Sequence, residues 1–273
     1  MKEKGFYFSG SEDSRLFGVL GFADAPQNTG IVFCHSFIDE TQYSYRTMVD
    51  IGRVLAKNGV PVLRFYCAGF GESDGEFSDT SVSSMVRDTR AAVRIFTEKA
   101  GVEKVVLVGV RLGAVTAMMA AESIPEIAGV VLVSPVVDGT RFFNELVRGV
   151  QFSEISTASK PRTREEIMQK MRIEGILEIE GGLVSQRMAT ELSAVNLIEK
   201  PVGFQGNLAV SLIPGNRDDA KSERLPEVYR ERGCITETWE ADSTIFWTNQ
   251  SMFDPQLPTQ LTQNIQRWLS CLN

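Results

Sequence analysis

One pentapeptide carries the sharpest chemical signal in this sequence, Gly109-Val110-Arg111-Leu112-Gly113. An apolar run, Val105 to Val108, precedes it, and a helix-like segment, Leu112 to Glu122, follows. A strand, a tight Gly-x-x-x-Gly turn and a helix deliver the middle residue of the turn into a pocket, and the glycines let strand and helix pack closely. A Ser, Cys or Asp at that point would serve as a nucleophile. The residue here is Arg111, whose guanidinium stays protonated in a protein and cannot attack anything. It can hold an anion instead. The N-terminus of a helix already favours negative charge, and a guanidinium adds a planar fork suited to carboxylate or phosphate.

Other reactive groups are sparse. The sequence holds a single histidine, His35. Ser36, Cys34, Cys67 and Ser134 lie near strand ends that should face the same pocket, and His35 is the one imidazole able to activate any of them. The loop bearing Gly69, Gly71 and Gly75 reads as a structural turn, because no Lys-Ser/Thr follows it. Glu72, Asp74, Glu76 and Asp79 read as a solvated face, and Asp39 and Glu40 as surface charges. Phe142, Phe143 and Phe152 read as packing residues that could equally line an apolar pocket. Trp239, Phe246 and Trp247 form an aromatic cluster near the end of the chain.

Composition narrows the classes. With 43% hydrophobic and 23% charged residues the chain is an ordinary globular protein. A net charge of −7 gives no reason to expect nucleic acid or anionic lipid as a partner. The 4 cysteines show neither CxxC nor metal-ligand spacing and read as reduced thiols of a cytoplasmic protein. No metal or cofactor is expected. Met1 to Gly5 leads into no long apolar run, so no signal peptide is expected. No apolar stretch reaches the ~18 residues of a membrane span.

The elements that must position these residues follow a rhythm. Residues 5–8 and 15–22 suit an antiparallel hairpin across the polar run Ser9 to Ser14. Gly30 to Cys34 is a continuous apolar run, as in a strand buried on both faces, Val105 to Val108 is a further apolar run, and Pro61 to Cys67 and Gly129 to Pro135 read as buried strands too. Helical spacing separates them, over Tyr43 to Asn58, Val82 to Lys99 and Leu112 to Ile124. That alternation predicts a mostly parallel sheet with helices on both faces. From Asp138 to Lys200 no buried strand is evident, and helical patterns fall near 141–150, 163–172 and 185–197. The rhythm returns with a strand at 208–213, a helix near 219–232, a strand at 234–240 and a last helix over 256–272.

Three blocks together resemble the α/β-hydrolase superfamily, in its serine aminopeptidase-like branch. They are Ile31 to Phe37, then Val62 to Phe65 with Gly69-Phe70-Gly71-Glu72-Ser73, then Gly109 to Gly113. Val110 to Ala114, Ser134 to Val137 and Met171 to Leu192 are similar, more narrowly, to the hydrolase-fold proteins encoded beside bacterial exosortase systems, some of which carry Arg at the elbow. The resemblance implies an α/β-hydrolase core over 1–138 and 201–273, with a helical cap over 139–200 inserted after the sixth strand. It also assigns positions. Arg111 takes the nucleophile's place, Asp218 the acid's, with Asp219 as the fallback, and Ser243 stands where a histidine is expected. His35 matches a residue that is structural in most relatives. The oxyanion-hole donors would be the backbone N–H groups of Phe37 and Leu112.

A serine hydrolase needs a nucleophile, a base and an acid that orients the base, and two of these are missing. The expectation is a degraded triad in a non-catalytic or atypical member that binds a small anionic or acyl ligand, or a protein partner, through Arg111, Leu112, Phe37, His35 and Ser36. Two roles for Arg111 stay open, a ligand's counter-ion and an internal ion pair with Asp218. The alternative is a hydrolase or acyltransferase for acyl esters or amides with a relocated centre.

Overall fold

The computed structural model describes residues 1–11, 13–22, 26–157, 161–213, 219–241, 245–253 and 257–272. The chain opens with β1 (Lys2–Ser9) and β2 (Arg15–Phe22), then β3 (Thr29–Cys34), α1 (Asp39–Lys57), β4 (Val62–Phe65), α2 (Val82–Ala100), β5 (Lys104–Val110), α3 (Leu112–Ala121) and β6 (Ile127–Val133). Between β6 and the next strand of the main sheet lie α4 (Gly139–Thr157), α5 (Arg164–Glu174), β7 (Ile176–Ile179), β8 (Gly182–Ser185) and α6 (Gln186–Ser193). The chain closes with β9 (Asn207–Leu212), α7 (Asp219–Ser222), α8 (Leu225–Arg230), β10 (Ile235–Glu240), α9 (Asn249–Phe253) and α10 (Thr259–Leu272).

The main sheet has 8 strands in the order β1-β2-β4-β3-β5-β6-β9-β10. β1 and β2 pair antiparallel, β2 meets β4 antiparallel, and every pairing from β4 to β10 is parallel. Alternate residues of the buried strands feed two cores. Val105 and Leu107 of β5 join α2 and α3 on one face. Val106, Val108 and Val110 join α1 and α10 on the other. The parallel strands therefore read as continuous apolar runs because both faces are covered.

Three elements depart from the sequence reading. α1 begins at Asp39 rather than Tyr43, which puts Asp39 and Glu40 in its first turn. There they oppose the positive end of the helix dipole. The helix expected over 219–232 is two short pieces, with Pro226 in the first turn of α8. The segment from 138 to 200 is not all helix: β7 and β8 pair antiparallel in a sheet of their own. Their turn holds Glu180 at φ 47° and Gly181 at φ 78°, and strands of four residues are too short to show a clear period. No described helix is long and apolar enough to cross a membrane.

Candidate functional site

The site forms where β3, β5 and β6 end side by side at their carboxyl edges. The elbow after β5 is tight. A Cβ on Gly109 would lie 2.3 Å from the Gly113 carbonyl oxygen, and a Cβ on Gly113 would lie 2.2 Å from that of Cys34. Both distances are impossible for real atoms, so only glycine fits at either end of the turn. Between them Arg111 takes φ 56° and ψ −117° and caps the N-terminus of α3. Its N–H donates to the Val133 carbonyl at 3.0 Å, and its carbonyl accepts from Val136 N–H at 3.3 Å, which ties the elbow to the end of β6. Two neighbours share the strained backbone region, Ile38 after β3 at φ 52° and Ser134 after β6 at φ 42°. Strain of this kind gathers at functional sites.

Arg111 is 5% exposed. Its Nε donates to Glu40 Oε1 at 3.0 Å, and the two side chains are 6% and 14% exposed. Its Nη1 donates to the Ser134 carbonyl at 3.2 Å. The guanidinium carbon lies 5.6 Å from the Phe142 ring of α4 and 5.4 Å from the Trp247 ring, both within cation–π range. Glu40 is therefore no surface charge. It sits in the first turn of α1 and reaches across the strand ends to the elbow. Asp218, Ser243 and the sequence-inferred pair of Arg111 with Asp218 lie outside the described residues.

Phe37 follows the end of β3, and Leu112 opens α3. Phe37 and Leu112 are buried, and no acceptor among the described residues takes the N–H of either. The Phe37 ring stacks on Phe77 at 5.5 Å and meets Phe70 at 6.3 Å. The Ser134 hydroxyl is buried with no hydrogen-bond partner among the described residues.

His35 is spent on the backbone. Its Nδ1 lies 2.7 Å from the Ser36 carbonyl, and its Nε2 accepts from Cys67 N–H at 3.1 Å. That pattern requires a neutral ring with its proton on Nδ1. Burial pulls its pKa down to about 4. The Ser36 hydroxyl pairs with Ser44 Oγ at 3.0 Å. Burial pushes the Cys34 thiol up to about 12 and the Cys67 thiol well above its usual range. These groups surround the site without forming a nucleophile–base pair. The four cysteines are free, and Cys271 is the exposed one.

The aromatic residues divide by role. Trp247 and Phe142 cover the guanidinium, Phe246 meets Trp247 edge-on at 5.1 Å, and Trp239 packs on Trp268. Phe143 is buried, but Phe152 is 65% exposed and packs little. Asp74 pairs with Arg15 at the surface, as a solvated face would. Among the described residues no group of three or more His, Cys, Asp and Glu is placed to hold a metal ion.

Strand order and the geometry of the turn after β5 together define an α/β-hydrolase fold. Residues 25–176 match the family model described as serine aminopeptidase, S33, and the chain belongs to that family. Its fold is shared by an esterase of Pyrococcus furiosus, with a TM-score of 0.67 at 16% identity over 98% of this chain and 91% of that one. Est1E of Butyrivibrio proteoclasticus, solved with ferulic acid bound, superposes with a TM-score of 0.67 at 16% identity over 97% of each chain. The mouse α/β-hydrolase domain-containing protein 10 gives 0.65 at 16% identity over 99% of this chain and 100% of that one. No curated protein matches the chain significantly.

Proposed function

We propose that this protein is a non-catalytic member of its family, a hydrolase scaffold that binds a small carboxylate or acyl anion at Arg111 instead of cleaving an ester or amide. The observation that carries this reading is the buried guanidinium in the turn after β5, at the N-terminus of α3. Two features supply positive potential at one point: the charge and the helix terminus. A stability role explains the arginine poorly. Taking an ion pair out of water costs about as much as its attraction returns, and apolar residues of similar volume serve a core as well or better. Glu40 then acts as the resident carboxylate, holding the guanidinium until a ligand arrives.

The triad chemistry is absent on this reading. Arg111, Asp218 and Ser243 occupy the three positions, and removing Ser or His alone costs roughly 10⁶ in rate in a well-studied protease. A relocated centre needs a base, and both nitrogens of His35 are engaged. We take residues 139–200 as a cap over a core of 1–138 and 201–273. Phe142 of α4 on the guanidinium, and Glu191 of α6 accepting from the Ser83 N–H and hydroxyl of α2, support that division. The resemblance to exosortase-associated proteins supports a bacterial setting in exopolysaccharide and protein sorting, and the free thiols a cytoplasmic location. One observation favours a protein partner as a second reading: Phe152 and Ile155 of α4 and Ile173 of α5 are 65%, 62% and 76% exposed.

Thermal unfolding of wild type and Arg111→Ala against short-chain carboxylates, acyl phosphates and acyl esters tests the proposal. A ligand at ~100 times its dissociation constant adds about 2.7 kcal/mol. A stabilisation by carboxylates that disappears in the variant is expected. Turnover of acyl esters by the wild type would overturn the non-catalytic assignment.

A further inference from the structure

Far from the elbow, the first two strands carry a charge pattern that the Arg111 site does not use. Lys4 and Phe6 of β1 and Leu20 and Phe22 of β2 stand on one face of the hairpin, because alternate strand residues share a face and Lys4 pairs with Leu20. Glu3 points to the opposite face, where Arg53 and Arg64 engage it. α2 packs on the first face, through Val93 and Phe96, but it ends at Ala100, and Gly101 at φ 65° turns the chain away. The helix therefore stops short of the open end of the hairpin and leaves a groove of about 340 Å³ there.

We propose that this groove binds a single-chain alkyl carboxylate, separately from the Arg111 site. Buried Leu20 and Pro61 and half-buried Phe6 and Phe22 give it an apolar lining. Lys4 and Lys99 line it too and are exposed, and Lys99 Nζ lies 5.1 Å from the centre of the Phe6 ring. Among the described residues no carboxylate lines the groove, and neither ammonium is paired with one. Two such ammoniums at one apolar groove stand out in a chain of net charge −7. The groove thus complements a hydrocarbon chain ending in one anionic head. A polyanion would find only two cations here and meet the repulsion of the whole chain.

Position keeps the two sites apart. Pro61 immediately precedes β4, so the groove lies at the amino edge of the parallel strands, whereas the elbow lies at their carboxyl edge. The chemistry divides the work within the groove. Each methylene that leaves water for the apolar lining tightens binding about fourfold while the chain still fits. The ammoniums are exposed, so their attraction for the head is modest and is screened by salt. They select an anion over a neutral head, and the lining selects chain length.

Calorimetric titration of the full chain with hexanoate, octanoate, decanoate and decanol, below their aggregation limits, tests this. Affinity is expected to rise about fourfold for each added methylene, with decanoate tighter than decanol and weakened by added salt. Lys4→Glu/Lys99→Glu reverses two exposed charges and is expected to weaken decanoate at least about tenfold. Ala100→Phe keeps both lysines but fills the groove, and is expected to weaken decanoate by a similar factor. Decanoate bound equally well by the double lysine variant overturns the proposal and sends the ligand elsewhere, the Arg111 site included. Decanol bound as tightly as decanoate removes the role given to the ammoniums and overturns it too. So does a wild type that binds none of the carboxylates. Retention on phosphatidylglycerol vesicles without binding of free decanoate overturns it in favour of a membrane-docking patch.

Discussion

Arg111→Met separates a pair kept for stability from a pair kept for binding. The substitution removes the cation and leaves the Glu40 carboxylate, 14% exposed, without the donor it has at 3.0 Å. It also takes a donor from the Ser134 carbonyl and the cation from Phe142 and Trp247. Removing one member of a buried pair costs about 3–5 kcal/mol, because the remaining charge is left buried. The lost cation–π contacts fall within that figure rather than adding to it. Methionine meets the same positive φ as arginine, so the backbone strain cancels. For a chain of this size a loss of 1 kcal/mol lowers the melting temperature by about 2 °C or slightly more, so a fall of roughly 6–10 °C is expected. The double variant Arg111→Met/Glu40→Leu removes both charges and is expected to return to within about 1 kcal/mol of wild type, or to exceed it. Urea unfolding at neutral pH on the four forms gives the full cycle. A single variant that loses less than about 1 kcal/mol, or a double variant that loses the sum of both singles, would refute the account of the pair as buried and coupled.

Other outcomes follow from the same site. On the proposed non-catalytic reading, Arg111→Ser supplies a hydroxyl but no base, so its hydrolysis of p-nitrophenyl butyrate is expected to stay at the wild-type background; a gain above about 100-fold would overturn that reading. Gly113→Ala forces a Cβ to 2.2 Å from a backbone oxygen and is expected to prevent folding. Gly101→Ala, at φ 65° with nothing within 4 Å, is expected to cost only about 1–2 kcal/mol in urea unfolding. Similar losses in the two would remove the steric argument for the elbow. His35 has a folded-state pKa of about 4, below the usual 6.5. The unfolded chain then binds the proton more readily, so this residue's stabilisation is complete above pH 6.5 and is lost as pH falls toward 4. The loss amounts to about 3 kcal/mol. Unfolding of wild type and His35→Gln at pH 7.5 and pH 4.5 measures it, and a variant as acid-sensitive as wild type would contradict this.

The sequence by itself determined the features that follow from local rules. The elbow was legible because Gly109 and Gly113 flank one residue between an apolar strand and a helix, a pattern that needs nothing distant to define it. The sheet was legible because strands buried on both faces leave unbroken apolar runs, and Val105 to Val110 divides its residues between two cores. The proposal that triad chemistry is lost drew only on the count of one histidine and the arginine in the turn after β5.

Only the tertiary structure decided what those residues touch. Glu40 reads as a surface charge in sequence because acidic residues after a loop usually are. It becomes the partner of Arg111, 71 residues away, because the crossover places β3 beside β5 and α1 begins early enough to aim it inward. Phe142 of α4 and Trp247, which follows β10, are distant in sequence, and both reach the guanidinium. The role of His35 was likewise undecided until the loop after β4 presented the Cys67 N–H to its Nε2. A local pattern fixes a backbone turn, since sterics act over a few residues; the neighbours of a side chain are fixed by strand order, which no short stretch of sequence contains.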